Sequence, residues 1–174
     1  VVPNRTSLMV TDLCKGFNQC IKDNKNKDIP KTYVYSPKTG SAKSVTAKMY
    51  ISLLKKESSI IVVSTVLDAL EFCKDINDWS NDVNYARCYY SEKKYYPDED
   101  LLRVEKKDLN KSRCIVITHN MFIKENTRNT HGQFQNYKGT KRDLVIVDER
   151  IALYERHTIS KVVIEDLIRI YNIL

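Results

Sequence analysis

The sequence contains no run of about 18 apolar residues, the length a membrane-crossing helix needs, so no transmembrane span is expected. The opening residues, Val1-Val2-Pro3-Asn4, lack an initiator methionine and the basic-then-apolar pattern of a secretory leader. The last residues, Tyr171-Asn172-Ile173-Leu174, stop on an apolar segment. Together these give the expectation of a domain cut from a longer chain. The cysteines, Cys14, Cys20, Cys73, Cys88 and Cys114, are odd in number, and no two have C-x-x-C spacing. Neither a disulfide framework nor a zinc site is indicated. Reduced thiols are the default, which places the chain in the cytoplasm, or inside the host cell if it is viral. His119, His131 and His157 lie far apart. No internal repeat and no low-complexity tract is present.

What is present describes one globular domain of 174 residues, with 42% hydrophobic and 29% charged residues. The net charge of +7, from 29 basic and 22 acidic residues, suits a phosphate-rich partner. A lysine-rich solvated surface carries the same charge, so charge alone does not choose between them.

Apolar positions at Leu8, Met9, Leu13, Phe17, Cys20 and Ile21 predict an amphipathic helix over 6–23. Thr32-Tyr33-Val34-Tyr35 predicts a short strand. Residues 36–41 form turns, and a helix follows over 42–55 with Val45, Met49, Leu53 and Leu54 expected on its inner side. Continuous apolar runs at 59–64, 114–118 and 144–147 predict buried strands. A helix carrying Leu67, Leu70, Phe72 and Ile76 follows the first of these. A further strand is expected over 83–90 and a helix around 99–109. Residues 124–142 read as a long polar loop, and 159–174 as a helix. Strands alternating with helices predict an α/β domain around a mainly parallel sheet. Ligands bind such sheets beyond the carboxyl ends of the strands.

Pro37-Lys38-Thr39-Gly40-Ser41-Ala42-Lys43-Ser44 stands between a predicted strand and a predicted helix, where a phosphate-binding loop belongs. Thr39, Gly40, Ser41 and Ala42 are the candidates for curling backbone N–H groups around phosphates. Lys43 is the candidate cation for the transferring phosphoryl group, and Ser44 the hydroxyl for Mg²⁺. The helix start adds the positive end of its dipole. Alanine replaces the usual glycine before the lysine, and it resists a positive φ should the turn need one. A turn leading into a basic helix start is the plainer alternative. Downstream, Leu144-Val145-Ile146-Val147 runs into Asp148-Glu149. Asp148 at a strand end can hold Mg²⁺, and Glu149 can deprotonate an attacking water. In a parallel sheet both motifs emerge at one edge, and together they point to an ATP- and Mg²⁺-dependent NTPase.

With these motifs the chain resembles the first motor domain of a superfamily-2 (DEAD/DEAH-like) helicase or translocase over roughly residues 15–150. Residues 37–44 are similar to motif I, Ile61-Val62-Val63-Ser64-Thr65-Val66-Leu67 to motif Ia, and Asp148-Glu149 to motif II. Cys114-Ile115-Val116-Ile117-Thr118-His119 resembles the later strand-plus-threonine motif on the same face. The motif II sequence continues Arg150-Ile151, unlike the narrow DEAD-box subgroup. The resemblance implies a three-layer RecA-like P-loop domain over 1–174, with a second RecA-like domain as partner in the same protein. It implies single- or double-stranded nucleic acid as the track, contacted by Ser64, Thr65, Thr118 and His119. Gln19 takes the place of a glutamine that reads adenine. Basic and aromatic residues of the 124–142 loop, among them Phe134, Tyr137 and Arg142, also suit a strand-binding surface, although a solvated loop has the same composition. Another P-loop enzyme, such as a packaging-motor ATPase, and a nucleic-acid-binding module with a degenerate ATP site are the alternatives.

Overall fold

The computed structural model describes residues 5–25, 33–35, 42–90, 101–127 and 133–149. The expected helix over 159–174 and residues 36–41 lie outside them. Three apolar runs form a parallel sheet as their composition dictates. β1 (Ser59–Val63) lies between β3 (Cys114–Thr118) and β6 (Leu144–Val147), and β2 (Ala86–Tyr89) flanks β3, giving the order β2-β3-β1-β6. Ser59 is level with both Cys114 and Leu144. Every residue of β1 is buried, as expected of a β-branched strand covered on both faces. The domain is therefore α/β with a parallel central sheet.

One face carries α1 (Arg5–Lys25), α2 (Lys43–Leu53) and α3 (Val66–Ser80). There Ile21, Ala47, Ile51, Leu70, Phe72 and Ile76 pack on Ile61, Val63, Val116 and Ile146. On the other face Ile60, Val62, Ile115 and Ile117 meet Leu109 and Phe134, with Phe122 of α4 (His119–Thr127) against them. α3 starts on a capping box. Thr65 Oγ1 accepts from Asp68 N, and the Asp68 carboxylate accepts from Thr65 N. The helix stops at Asn81, which takes the left-handed conformation suited to that position. Among the described residues no helix is long and apolar enough to cross a membrane.

Several expectations are corrected. Val45, Met49 and Leu53 point outward, with exposures of 46%, 52% and 69%, while Thr46, Ala47, Lys48, Ile51 and Ser52 are buried. Two apolar stripes compete on α2, and polar contacts choose between them. Ser44 and Lys48, four residues apart on one helix face, are held by Asp148 and by Glu71 and Asp75. Tyr33-Val34-Tyr35 is not a strand. The three residues are exposed, and Tyr33 Oη donates to Asp23 Oδ2 of α1 at 2.6 Å. The strand expected over 83–90 is confined to Ala86–Tyr89, because Val83 lies in an exposed turn. No α-helix occupies 101–109. Arg103 bridges Cys88 in parallel, Val104 N donates to Cys88 O at 2.9 Å, and a 3-10 turn follows at Lys106–Lys111.

The described residues of the polar stretch over 124–142 are also more regular than a loop. Its first residues continue α4, and β4 (Asn136–Tyr137) and β5 (Thr140–Lys141) form a hairpin. Lys138 and Gly139 turn the hairpin with φ of 47° and 83°, the positive values that tight two-residue turns favour. Phe134 and Arg142 are buried, so they serve the core and not a strand-binding surface.

Candidate functional site

Parallel pairing brings the ends of β1 and β6 together. Val62 is level with Val147, and Asp148 N extends the pairing by donating to Val62 O at 2.9 Å. Ser64 and Glu149 then leave the same sheet edge, and Ser64 Oγ donates to Glu149 Oε2 at 2.6 Å. Ser44, in the first turn of α2, reaches the same place. Its hydroxyl donates to Asp148 Oδ2 at 2.7 Å across 104 positions of sequence. His119, the first residue of α4, bonds the Asp148 carbonyl at 3.1 Å. A carbonyl only accepts, so His119 Nε2 carries the proton in this contact.

These side chains surround a cleft of about 180 Å³ lined by Ser44, Lys48, Val63, Ser64, Asp68, Glu71, Phe72, Asp148 and Glu149. Its charge is lopsided, with four carboxylates against one lysine. Lys48 is buried, donates to Glu71 Oε1 at 2.6 Å and Asp75 Oδ2 at 2.7 Å, and stands 4.6 Å above the Phe72 ring. Burial pulls its pKa down, but the bonds to Asp75 and Glu71 outweigh this and raise it. Lys48 therefore stays charged, ties α2 to α3, and partly offsets the acidic wall. The sequence reading missed it; its spacing from Ser44 on one helix face was the available signal.

Ala42 precedes α2 with φ 55° and ψ 25°, in the left-handed region, and its side chain makes no capping bond. Its carbonyl accepts from Thr46 N and Thr46 Oγ1, both at 2.8 Å. The turn thus needs the positive φ that an alanine resists. Such a residue is held at a cost of about 1–2 kcal/mol. Glycine relieves that cost but gains unfolded-chain entropy. Ala42→Gly is therefore expected to stabilise the domain by about 0.5–1 kcal/mol, read as a higher urea midpoint at unchanged m value.

Of the other expected site residues, Lys43 opens α2 half-buried and is not among the residues that line the cleft. Thr39, Gly40 and Ser41 lie outside the described residues. Gln19 is exposed on α1, where its amide donates to Asp23 Oδ1 at 2.9 Å, and it does not line the cleft. The Thr65 hydroxyl is committed to Asp68. Thr118 Oγ1 accepts from Met121 N at 3.3 Å at the start of α4. The cysteines are all free, and burial raises the Cys73 pKa and pushes that of Cys114 up to about 11, which makes them poor nucleophiles. Comparison with known protein families, with characterised proteins and with solved structures gives no match.

Proposed function

We propose that this chain is the ATP-binding and ATP-hydrolysing domain, RecA-like in architecture, of a nucleic-acid helicase or translocase. The observation that carries the reading is the Ser44–Asp148 hydrogen bond at 2.7 Å. It joins the hydroxyl that follows Lys43 to the first carboxylate after β6. These are the groups that P-loop NTPases set around the metal of a bound nucleotide.

The residues fit a magnesium ion. Ser44 and Asp148 offer hard oxygen donors already within hydrogen-bond reach of each other. Among the described residues no group of three His, Cys, Asp or Glu could hold a metal by itself. Completing the shell with nucleotide phosphates and water is the usual arrangement for magnesium. When bound, the ion neutralises charge on the β- and γ-phosphates. Lys43 would supply a second cation, and the first-turn N–H groups of α2 would be the backbone donors to the phosphates. Glu149 orients the attacking water and takes its proton. A nucleic-acid strand and a second RecA-like domain are the partners that this reading requires.

A binding module with a degenerate site is the second reading, and the left-handed Ala42 favours it because a strained alanine stands where phosphate loops carry glycine. ATP hydrolysis measured with and without single-stranded DNA or RNA separates the readings. Stimulation by either strand supports the motor. Turnover indifferent to nucleic acid points to another P-loop enzyme such as a packaging-motor ATPase. Mg-ATP binding without any turnover leaves the degenerate module.

A further inference from the structure

We infer that Ser64 is a positioning residue for Glu149. Its hydroxyl restrains the carboxylate at rest, and a phosphodiester oxygen that takes this hydroxyl releases the carboxylate to act on water. The inference rests on the nucleotide-hydrolysing reading and extends it to how turnover is coupled to a nucleic-acid strand.

The Ser64–Glu149 contact, at 2.6 Å, has the length of a charge-assisted O–H···O⁻ bond. A carboxylate that accepts such a bond is held in place by it, turned toward the serine and away from an attacking water. Glu149 is also held at φ 72°, a left-handed conformation that a non-glycine residue keeps only when its surroundings impose it. Ser64 is placed to do so, because β1 and β6 are in parallel register up to Val62 and Val147. A serine hydroxyl has one proton, and so serves one anion at a time. Ser64 is exposed. The Thr65 and Thr118 hydroxyls, by contrast, cap the helices that follow them. Among the residues expected on the nucleic-acid side, Ser64 therefore combines an accessible hydroxyl with direct contact to the Glu149 carboxylate. An incoming phosphodiester competes for that proton and repels the carboxylate. Both effects free Glu149.

In the full chain, Ser64→Ala is expected to bind Mg-ATP as the wild type does. Its hydrolysis without nucleic acid rises about 3- to 10-fold, the worth of one hydrogen bond. Further stimulation by an oligonucleotide is lost. Separate arms with single-stranded DNA and single-stranded RNA show which source supplies the phosphodiester. Ser64→Thr keeps the hydroxyl and restores both the low basal rate and the stimulation. Without nucleotide, the melting temperatures of wild type, Ser64→Ala, Glu149→Ala and the double variant should depart from additivity by about 2–4 °C. Additive shifts, or a Ser64→Ala chain with unchanged basal rate and unchanged stimulation, overturn the inference. Wild-type turnover beside a silent Ser64→Ala removes the inference alone, whereas a wild type that binds no Mg-ATP removes the functional reading and the inference with it.

Discussion

Glu149→Gln is expected to bind Mg-ATP within about threefold of the wild type and to lose about 10²- to 10⁴-fold in kcat, the usual contribution of a positioned general base. The two carboxylates after β6 divide the work by their partners. Asp148 faces the Ser44 hydroxyl at the start of α2, which assigns it to the metal of the nucleotide. Glu149 faces Ser64 just past the end of the neighbouring strand, and both residues line the cleft, with the Glu149 backbone in the left-handed region. Glutamine keeps the size of the side chain, and its carbonyl oxygen still accepts from Ser64, so the fold and the binding step are preserved. It cannot take a proton from water, so the chemical step is lost. Nucleotide affinity and single-turnover hydrolysis on the same protein separate these steps. A Glu149→Gln chain that hydrolyses at the wild-type rate means that the base lies elsewhere.

Arg142→Met is expected to destabilise the domain by about 3–5 kcal/mol, which for a chain of this size lowers Tm by roughly 6–20 °C. Arg142 is only 3% exposed, and among the described residues it pairs with no carboxylate. Its guanidinium donates instead to backbone carbonyls: Nε to Phe134 at 2.7 Å, Nη1 to Arg113 and Ser59 at 2.7 and 3.3 Å, and Nη2 to Leu109 and Ser112 at 2.8 and 2.9 Å. Burial lowers its pKa to about 10, so it remains charged at pH 7. Asp143 adds a second clamp beside it, accepting from Ser58 N and Ser58 Oγ at 2.8 and 3.0 Å. Together they fasten the amino end of β6 to that of β1, and so set the register on which the Ser64–Glu149 and Ser44–Asp148 contacts depend. Methionine fills part of the volume but leaves buried carbonyls without donors. Lysine offers three donors at one point and cannot span the fork, so Arg142→Lys recovers less than half of the loss. Thermal unfolding checks both variants. A Tm within a degree or two of the wild type for Arg142→Met contradicts this account of how the strand ends are fixed.

The buried strands and the acidic pair were legible because their signals are local. Ile60 to Val63, Cys114 to Ile117 and Leu144 to Val147 are apolar runs with few alternatives. The parallel arrangement that joins Ser44, Ser64, Asp148 and Glu149 follows from their alternation with helices. What was not legible depends on partners distant in sequence. The rotation of α2 is fixed by Lys48 meeting Glu71 and Asp75, against the pull of its more apolar stripe. Arg142 and Phe134 sit in a stretch whose composition reads as solvated, and only the carbonyls and apolar side chains gathered from β1 to β3 make them core residues. The residues at 33–35 have strand-like composition but, among the described residues, no strand to pair with. Ala42 was a conditional expectation, and the positive φ that it resists is the one it adopts.

The cleft's charge gives the most direct test of the central claim. Asp68, Glu71, Asp148 and Glu149 line it against Lys48, so an unaccompanied triphosphate meets a repulsive wall. ATP binding measured by calorimetry on the wild type should therefore require magnesium, and Lys43→Ala should abolish it in the presence of the ion. Binding that persists equally without magnesium, or that Lys43→Ala leaves unchanged, would contradict a nucleotide site built on Lys43, Ser44 and Asp148.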